Sequence, residues 1–388
     1  MTVEGAPRRR TIGDAYSGRT NGLNLIRLLL ALTVVISHSI VLGGYGSEDF
    51  FHWSTAGLLA VFGFFGISGY LIAASADTHS VGRFMWHRFL RIFPAFWVCL
   101  IVVAFVFGPL EWLHTSEPCG LSCYVRDPLG PLGYIFHNSL LWIGQVAIAE
   151  PVHSPIYGWI PFPTLTNGSL WTLFYEFLCY LLVGALAVVG ALRKPSTVVA
   201  LAAAAWLATS VIIMVPTLNV RFDLFHGVTE FRLLLLVPVF LVGSVLYLYR
   251  SSIPDSGWLA LCCIALMAIS ILVPVGGNGV PEYTLTRGDI AAPLIAYPML
   301  WLGAHVPWPQ IGARNDYSYG VYIYAYPVAG LLTLWGVNRW GYMPYTVLTV
   351  VVVAPLAVAS WWIVEKRSLR LRNVNVAERR RKARTTTD

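Results

Sequence analysis

Ten long apolar segments constrain the fold of this 388-residue chain more than any other feature. An α-helix of roughly 20 apolar residues is long enough to cross the hydrocarbon core of a bilayer. Hydrophobic residues make up 57% of the chain and charged residues 12%, whereas a soluble domain carries roughly 25% charged residues. We therefore predict an all-α, polytopic integral membrane bundle of about ten transmembrane helices that forms one domain over residues 24–365. The segments lie at about 24–43, 55–75, 89–109, 170–192, 196–216, 230–249, 257–275, 289–305, 316–336 and 344–364.

Positive residues cluster at the two ends of the chain and in short loops. Because Lys and Arg are retained on the cytoplasmic side of membrane spans, we predict that the basic segment 1–23 and the basic tail 366–388 are both cytoplasmic. This topology requires an even number of spans. The net charge of +7 fits anionic lipid headgroups better than nucleic acid, since the arginines form no stripe along one amphipathic face. We expect the tail to be disordered.

The third and fourth spans are joined by a long loop, residues 110–169, which this topology places outside the cytoplasm. Its Tyr, Trp and His residues suit stacking on sugar rings, although an aromatic belt at the headgroup level is an equally good interpretation. Within the loop, residues 134–149 are apolar but short and interrupted by polar residues, which favours an interfacial or re-entrant helix. An outward location would permit a disulfide between Cys119 and Cys123, and no Cys/His spacing resembles a zinc site.

Polar residues inside the spans carry most information about function, because a charge in a bilayer is expensive unless it has a partner or water. In the first span, Arg27 and His38 are eleven residues apart. At about 100° per residue they share one helix face, separated by a rise of about 16 Å. A histidine that only bonds to a neighbouring helix is the alternative to a functional one.

Two arginines enter the third span from the predicted cytoplasmic side. Arg88 and Arg91 are three residues apart and therefore share a helix face. Arginine forks match phosphate geometry, so the pair could hold the phosphates of an acyl-coenzyme A. Anchoring of the topology by positive charge is the competing interpretation.

A third polar cluster runs from Asn167 to Glu176 and opens the fourth span from the predicted outer side. A carboxylate as deep as that of Glu176 should be paired or protonated. A histidine near the outer side is an obvious partner, and such a pair could act as a base for a hydroxyl nucleophile.

These residues together resemble the acyltransferase 3 family of membrane O-acyltransferases, which modify bacterial surface polysaccharides, glycolipids and some antibiotics. The likeness covers nearly the whole chain. Each mark alone is weak, but six occur in the right order. The marks are Asn24 to His38 with Arg27, Gly66 to Ile72, the pair Arg88 and Arg91, Ser169 to Glu176, Tyr319 to Tyr322, and a last span that runs into Glu365.

The resemblance implies a ten-helix core in the bacterial cytoplasmic membrane, with an acyl-coenzyme A donor, most simply acetyl-coenzyme A, presented from the cytoplasm. It implies a carbohydrate-containing acceptor on the outer side and no metal. A homodimer is left open. One departure is Tyr326, since many members carry a histidine before the proline at that point. The expected roles are His38 and Glu176 in catalysis, Arg27, Arg88 and Arg91 in donor binding, and Asn167, Ser169, Trp171, Tyr322 and Tyr326 in acceptor binding.

As a mechanism, we expect His38, oriented by Glu176, to take the proton of an acceptor hydroxyl that attacks the thioester, with an acyl-histidine intermediate as the variant. The acceptor could be an envelope polysaccharide, a glycolipid or a secreted glycoside such as a macrolide. Two other classes stay open. A proton-coupled transporter of a glycosidic solute would also bury Arg, His and Glu, whereas a membrane scaffold does not explain ionisable groups inside spans.

Overall fold

The computed structural model describes residues 10–18, 21–46, 55–114, 120–145, 147–149, 167–215, 228–272 and 287–373. Over these ranges the chain is helical and contains no β-strand, apart from one isolated bridge between Thr11 and Pro254. The prediction of an all-α fold is therefore confirmed for the part of the chain that is described. The helices are α1 (Ile12–Ala15), α2 (Leu23–Leu42), α3 (Ala56–Thr78), α4 (Val81–Val102), α5 (Gly108–His114), α6 (Leu121–Arg126), α7 (Pro131–Asn138), α8 (Trp171–Val188), α9 (Pro195–Met214), α10 (Val228–Leu248), α11 (Gly257–Leu272), α12 (Arg287–Ala291), α13 (Ala296–His305), α14 (Ser318–Leu334), α15 (Tyr342–Ser360) and α16 (Lys366–Arg370).

In the part of the chain that the structure describes, six helices are long and apolar enough to cross a membrane. They are α2, α3, α8 and α9, the continuous helix Val81–His114 and the continuous helix Tyr342–Arg370. The other four predicted segments also contain helices: α10, α11, α12 with α13, and α14. The count of ten spans and the orientation of the termini stay predictions.

Helix α3 packs closely against α10, because Gly66 and Gly69 of α3 and Gly243 of α10 let the two backbones approach each other. A methyl group at Gly69 would overlap the carbonyl oxygen of Phe240 in α10, and one at Gly243 would overlap the carbonyl oxygen of Gly66. Close contacts between small residues are the usual way in which membrane helices pack. The Gly66 to Ile72 motif is therefore a packing motif on one face of α3, which leaves Ser68 to face another direction.

Helices α2 and α14 run parallel, and both run antiparallel to α3. Along the parallel pair Arg27 contacts Asp316, and Thr333 donates a hydrogen bond to the carbonyl oxygen of Leu42 at 2.8 Å. On the other side of α2, the backbone N–H of Gly57 donates to the Ser37 hydroxyl at 3.0 Å. These contacts define which residues of α2, α3 and α14 lie side by side in the bundle.

The last long helix ends in a π-helical turn, Trp361–Glu365, followed by α16 and a short 3₁₀ turn, Leu371–Asn373. Such wider turns occur frequently at functional sites. Here the turn buries Glu365, whose side chain is 2% exposed. Residues 366–373 are helical, so the expectation of a disordered tail is wrong for its first eight residues, and residues 374–388 lie outside the described ranges.

The long loop 110–169 begins with three short helices, α5 to α7. The predicted helix over 134–149 is only partly right, since α7 ends at Asn138 and the chain turns there. Asn138 and Gln145 then exchange two hydrogen bonds, of 2.8 and 3.1 Å, between side chain and backbone. Cys123 is disulfide-bonded. Cys119 and residues 150–166 lie outside the described residues.

Candidate active site

A cavity lies where α2, α3, α4, α8 and α14 meet. Across the described ranges, no group of three or more His, Cys, Asp and Glu residues is arranged to hold a metal ion. The lining residues are Arg27, Val61, Phe64, Phe65, Ile67, Ser68, Leu71, Ile72, Arg88, Arg91, Thr172, Leu173, Glu176, Tyr180, Ser318, Tyr319 and Tyr322.

Two of the three cavity arginines are held by buried carboxylates. Asp316 Oδ2 accepts from Arg27 Nη1 at 2.6 Å and from Arg91 Nη2 at 2.5 Å. Arg91 Nη1 also lies 3.4 Å from Glu365 Oε2, and the exposed fractions of these side chains are 12% for Arg91, 9% for Asp316 and 2% for Glu365. Removing one member of such a buried network leaves uncompensated charge, so these residues are first of all structural.

The third arginine, Arg88, is different. Its Nε is buried and donates to no group in the part of the chain that the structure describes. Its guanidinium lies over the rings of Phe84 and Tyr180, at 5.9 and 5.8 Å from their centroids. Arg88 therefore keeps hydrogen-bonding capacity that a ligand in the cavity can use, whereas Arg91, three residues later, is already engaged.

Asp316 is the main site residue that the sequence prediction missed. It lies two residues before the start of α14, and its Oδ1 accepts from the backbone N–H of Ser318 at 3.2 Å and from the Ser318 hydroxyl at 2.5 Å. Asx residues are typical of helix starts for this reason. The sequence does contain a signal for this role. Asp316 opens an otherwise uncharged apolar segment, and Arg27 and Arg91 lie in two other spans where a buried arginine needs a carboxylate partner.

The structure places Glu176 near the arginines and not beside His38. Its Oε1 accepts from the Ser68 hydroxyl at 3.0 Å and from the Tyr180 hydroxyl at 2.5 Å. Ser68 is eleven residues beyond Gly57 on the antiparallel helix α3, which is about 16 Å from the level of Ser37. The expected orientation of His38 by Glu176 is therefore corrected, because the carboxylate lies at the level of Arg27.

His38 lies at the other end of this line, half-buried, with its ring edge-on to Tyr326 at a centroid distance of 5.2 Å. Tyr326 also packs against the turn before α8, where a Cβ at Gly168 would lie 2.7 Å from its ring. The side-chain amide of Asn167 donates to the carbonyl oxygen of Ile323 at 2.7 Å and holds this turn on α14. Tyr326 is thus a direct neighbour of His38.

Polar groups of α8 and α14 connect the two levels. The Tyr322 hydroxyl donates to the carbonyl oxygen of Ser169 at 2.8 Å and lies 2.5 Å from Thr172 Oγ1. Both Tyr322 and Thr172 line the cavity. Ser169 Oγ and Asn167 Oδ1 are buried and have no hydrogen-bond partner among the described residues. Trp171 does not line the cavity, and its ring lies under the guanidinium of Arg232 at 4.1 Å.

The site therefore has two ends. We call Arg27, Arg88, Arg91, Asp316 and Glu365 the arginine end. We call His38, Tyr326 and residues 167–169 the histidine end. Arg27 and His38 share helix α2, and a rise of about 16 Å separates them. The two ends are joined by Glu176, Thr172 and Tyr322.

Comparison with known proteins identifies the family of the chain. The family described as an acyltransferase domain matches residues 20–363. The chain is 30% identical over 354 residues to the O-acetyl transferase of Shigella phage Sf6, which covers 90% of this chain and 96% of that protein. It is 27% identical over 381 residues to nodulation protein 10 of Rhizobium leguminosarum bv. viciae, covering 94% and 97%. No solved structure matches.

Proposed function

The chain belongs to the acyltransferase domain family and is an O-acyltransferase in a multi-pass membrane fold, and from that premise we propose that it moves an acyl group from acyl-coenzyme A to a hydroxyl of a carbohydrate-containing acceptor. Acetyl is the first acyl group to test, because one relative is named an O-acetyl transferase. The family favours this enzyme over the carrier and scaffold alternatives.

The observation that carries the donor proposal is the buried Nε of Arg88, which lines the cavity and has no acceptor among the described residues. A buried donor without an acceptor is unfavourable by about 1–3 kcal/mol. Phosphate groups are strong acceptors that match the guanidinium fork. We therefore place the phosphates of the donor at Arg88. Arg27 and Arg91, which are paired with Asp316, add positive charge to the same cavity.

The reaction is assigned to the histidine end. The acceptor hydroxyl gives its proton to His38 as its oxygen attacks the thioester carbonyl. The carbon–sulfur bond then breaks, and the thiolate of coenzyme A leaves and takes the proton from the imidazolium. In the variant, His38 itself attacks the thioester carbonyl, and the coenzyme A thiolate leaves and takes the imidazole proton. The acceptor hydroxyl then attacks the acyl-histidine and gives its proton to the departing imidazole. Thr172, Tyr322 and Ser169 mark the route along which the thioester arm reaches His38.

The acceptor is expected at the histidine end, from the predicted outer side. Tyr326 supplies an aromatic face beside His38, and Ser169 Oγ and Asn167 Oδ1 are buried polar atoms without partners in the described ranges. A hydroxyl-rich ligand supplies both donors and acceptors to such atoms. An envelope polysaccharide or glycolipid fits best, and a glycosylated antibiotic is the second candidate within the same chemistry.

The proposal is tested with purified protein in vesicles that is incubated with labelled acetyl-coenzyme A and envelope glycan. The two readouts are the release of coenzyme A and the label transferred to the glycan. We expect glycan-dependent release by the wild type and by His305→Ala, a matched control because His305 does not line the cavity. Release should be absent in His38→Ala. Label that moves across vesicles unchanged, without release of coenzyme A, would instead support a carrier.

A further inference from the structure

The short turn after the last helix, Leu371–Asn373, contacts the first part of α4. The charge pattern predicts that this part of α4 faces the cytoplasm. The indole N–H of Trp86 donates to the carbonyl oxygen of Leu371 at 3.2 Å. Nε2 of His87 lies 3.4 Å from the carbonyl oxygen of Arg372. The basic tail thus begins beside Arg88, the next residue of α4, and not free in solvent.

Arg372 has the same unusual feature as Arg88. Among the residues that the structure describes, these two guanidinium groups have a buried Nε without an acceptor. Neither Arg88 nor Arg372 takes part in a salt bridge with a described carboxylate. Two buried donors of like charge at neighbouring positions are unfavourable unless an anion lies between them.

The electrostatics of Arg372 favour the binding of an anion. Burial first, and then the positive charges of Arg88 and Arg91, lower the pKa of Arg372 to about 10. A neighbouring anion would reverse this effect, because an opposite charge favours the charged form. Asp316 and Glu365 do not meet this need, since their hydrogen bonds go to Arg27, Arg91, Ser318 and Ser360.

We propose that Arg372 is a phosphate-binding residue, and that together with Arg88 it forms a two-guanidinium clamp for a phosphate group. The proposal rests on the proposed function in one respect, the identity of the phosphate carrier as acyl-coenzyme A. The shared chemistry is a phosphate ester or anhydride. A phospholipid headgroup is the other source of the same group.

The clamp predicts which part of the donor Arg372 contacts. Charge-assisted hydrogen bonds contribute about 1.5–3 kcal/mol each, which corresponds to a factor of roughly 10 to 150 in affinity. Arg372→Gln should therefore weaken binding of acetyl-coenzyme A by at least about 10-fold. It should leave the KM for acetyl-pantetheine unchanged, because that thioester carries no phosphate. A merely structural role would affect both thioesters alike.

The test uses the full-length protein in nanodiscs of neutral lipid, with Arg372→Gln, Arg88→Gln and Arg370→Gln. Arg370 is the control, since it lies in the same tail segment but is exposed. Without ligand, the thermal unfolding temperature of Arg372→Gln should equal that of the wild type or be slightly higher, because the variant removes a repulsive charge. Arg370→Gln should bind acetyl-coenzyme A like the wild type.

Three outcomes decide the question. Selective loss of acetyl-coenzyme A affinity in Arg372→Gln supports the clamp with the donor as its ligand. If phosphatidylglycerol vesicles show Arg372-dependent binding and acetyl-coenzyme A does not, the phosphate site stands with a lipid as its source and the donor assignment fails. Wild-type affinity of Arg372→Gln for both ligands overturns the clamp, whereas turnover by the same variant would leave the proposed function intact.

Discussion

The arginine end and the histidine end lie on the same helices but are built in opposite ways. At the arginine end, buried ion pairs of 2.5 and 2.6 Å tie Asp316 to two arginines of different helices. At the histidine end, His38 meets an aromatic edge, and the neighbouring turn is held by neutral hydrogen bonds such as Asn167 to Ile323 at 2.7 Å. One end is a charged network, and the contacts described at the other end are an aromatic edge and neutral hydrogen bonds.

The difference teaches how the two halves of an acyl transfer can be separated within one bundle. Charges inside a membrane protein are costly unless they are paired, so a site for an anionic ligand needs a scaffold that holds most of its own charges. Substitutions at the two ends should therefore fail differently, in binding or folding at one and in turnover at the other.

The largest effect is expected for His38→Ala. A positioned general base contributes roughly 10²–10⁴ to a rate, so acyl transfer should fall at least that far. Affinity for acetyl-coenzyme A should be unchanged, since the arginine end is about 16 Å away along α2. Single-turnover product formation and equilibrium donor binding measure the two quantities. Turnover near the wild-type rate would remove His38 from the mechanism.

The next effect is on stability, at Arg91. Arg91→Ala leaves Glu365 without its arginine and Asp316 with only Arg27, and loss of one member of a buried pair destabilises by about 3–5 kcal/mol. Thermal unfolding and the yield of folded protein in detergent report this loss. The double variant Arg91→Ala with Glu365→Gln should recover part of it. Unaltered unfolding of the single variant would mean that the ion pairs do not hold the bundle.

A smaller effect is expected at Tyr326. Aromatic edge contacts contribute about 0.5–1.5 kcal/mol, so Tyr326→Ala should lower kcat by up to about 10-fold while donor affinity stays the same. Tyr326→Phe keeps the ring beside His38 and should retain most of the activity. A larger loss in the Phe variant than in the Ala variant would show that the hydroxyl, not the ring, is the functional part.

The smallest effect on turnover is expected for Glu176→Gln. The amide oxygen of Gln can accept the same bonds from Ser68 and Tyr180 that the carboxylate accepts. The pH profile of kcat should therefore not move, because Glu176 does not contact His38. A shift of that profile would reinstate the catalytic pairing that the sequence suggested.

Much of this arrangement can be predicted from the sequence, for identifiable reasons. Apolar length locates the helices, and the eleven-residue spacing places Arg27 and His38 on one face. The partner of Glu176 is not predictable in this way. The depth of a residue along its own helix does not define which residues of other helices lie beside it. That depends on how far the helices are shifted along one another, which close contacts such as Gly69 with Phe240 determine. Asp316 and Arg372 were missed because their roles depend on residues far away in the chain.

The central claim is that a donor at the arginine end reaches an acceptor at the histidine end through the core. Sealed vesicles of opposite orientation, prepared from cells that make the protein, test it most directly when labelled acetyl-coenzyme A is added outside. Inside-out vesicles should transfer label to envelope glycan in their lumen, and right-side-out vesicles should do so only after permeabilisation. Equal labelling by sealed right-side-out vesicles would contradict the account.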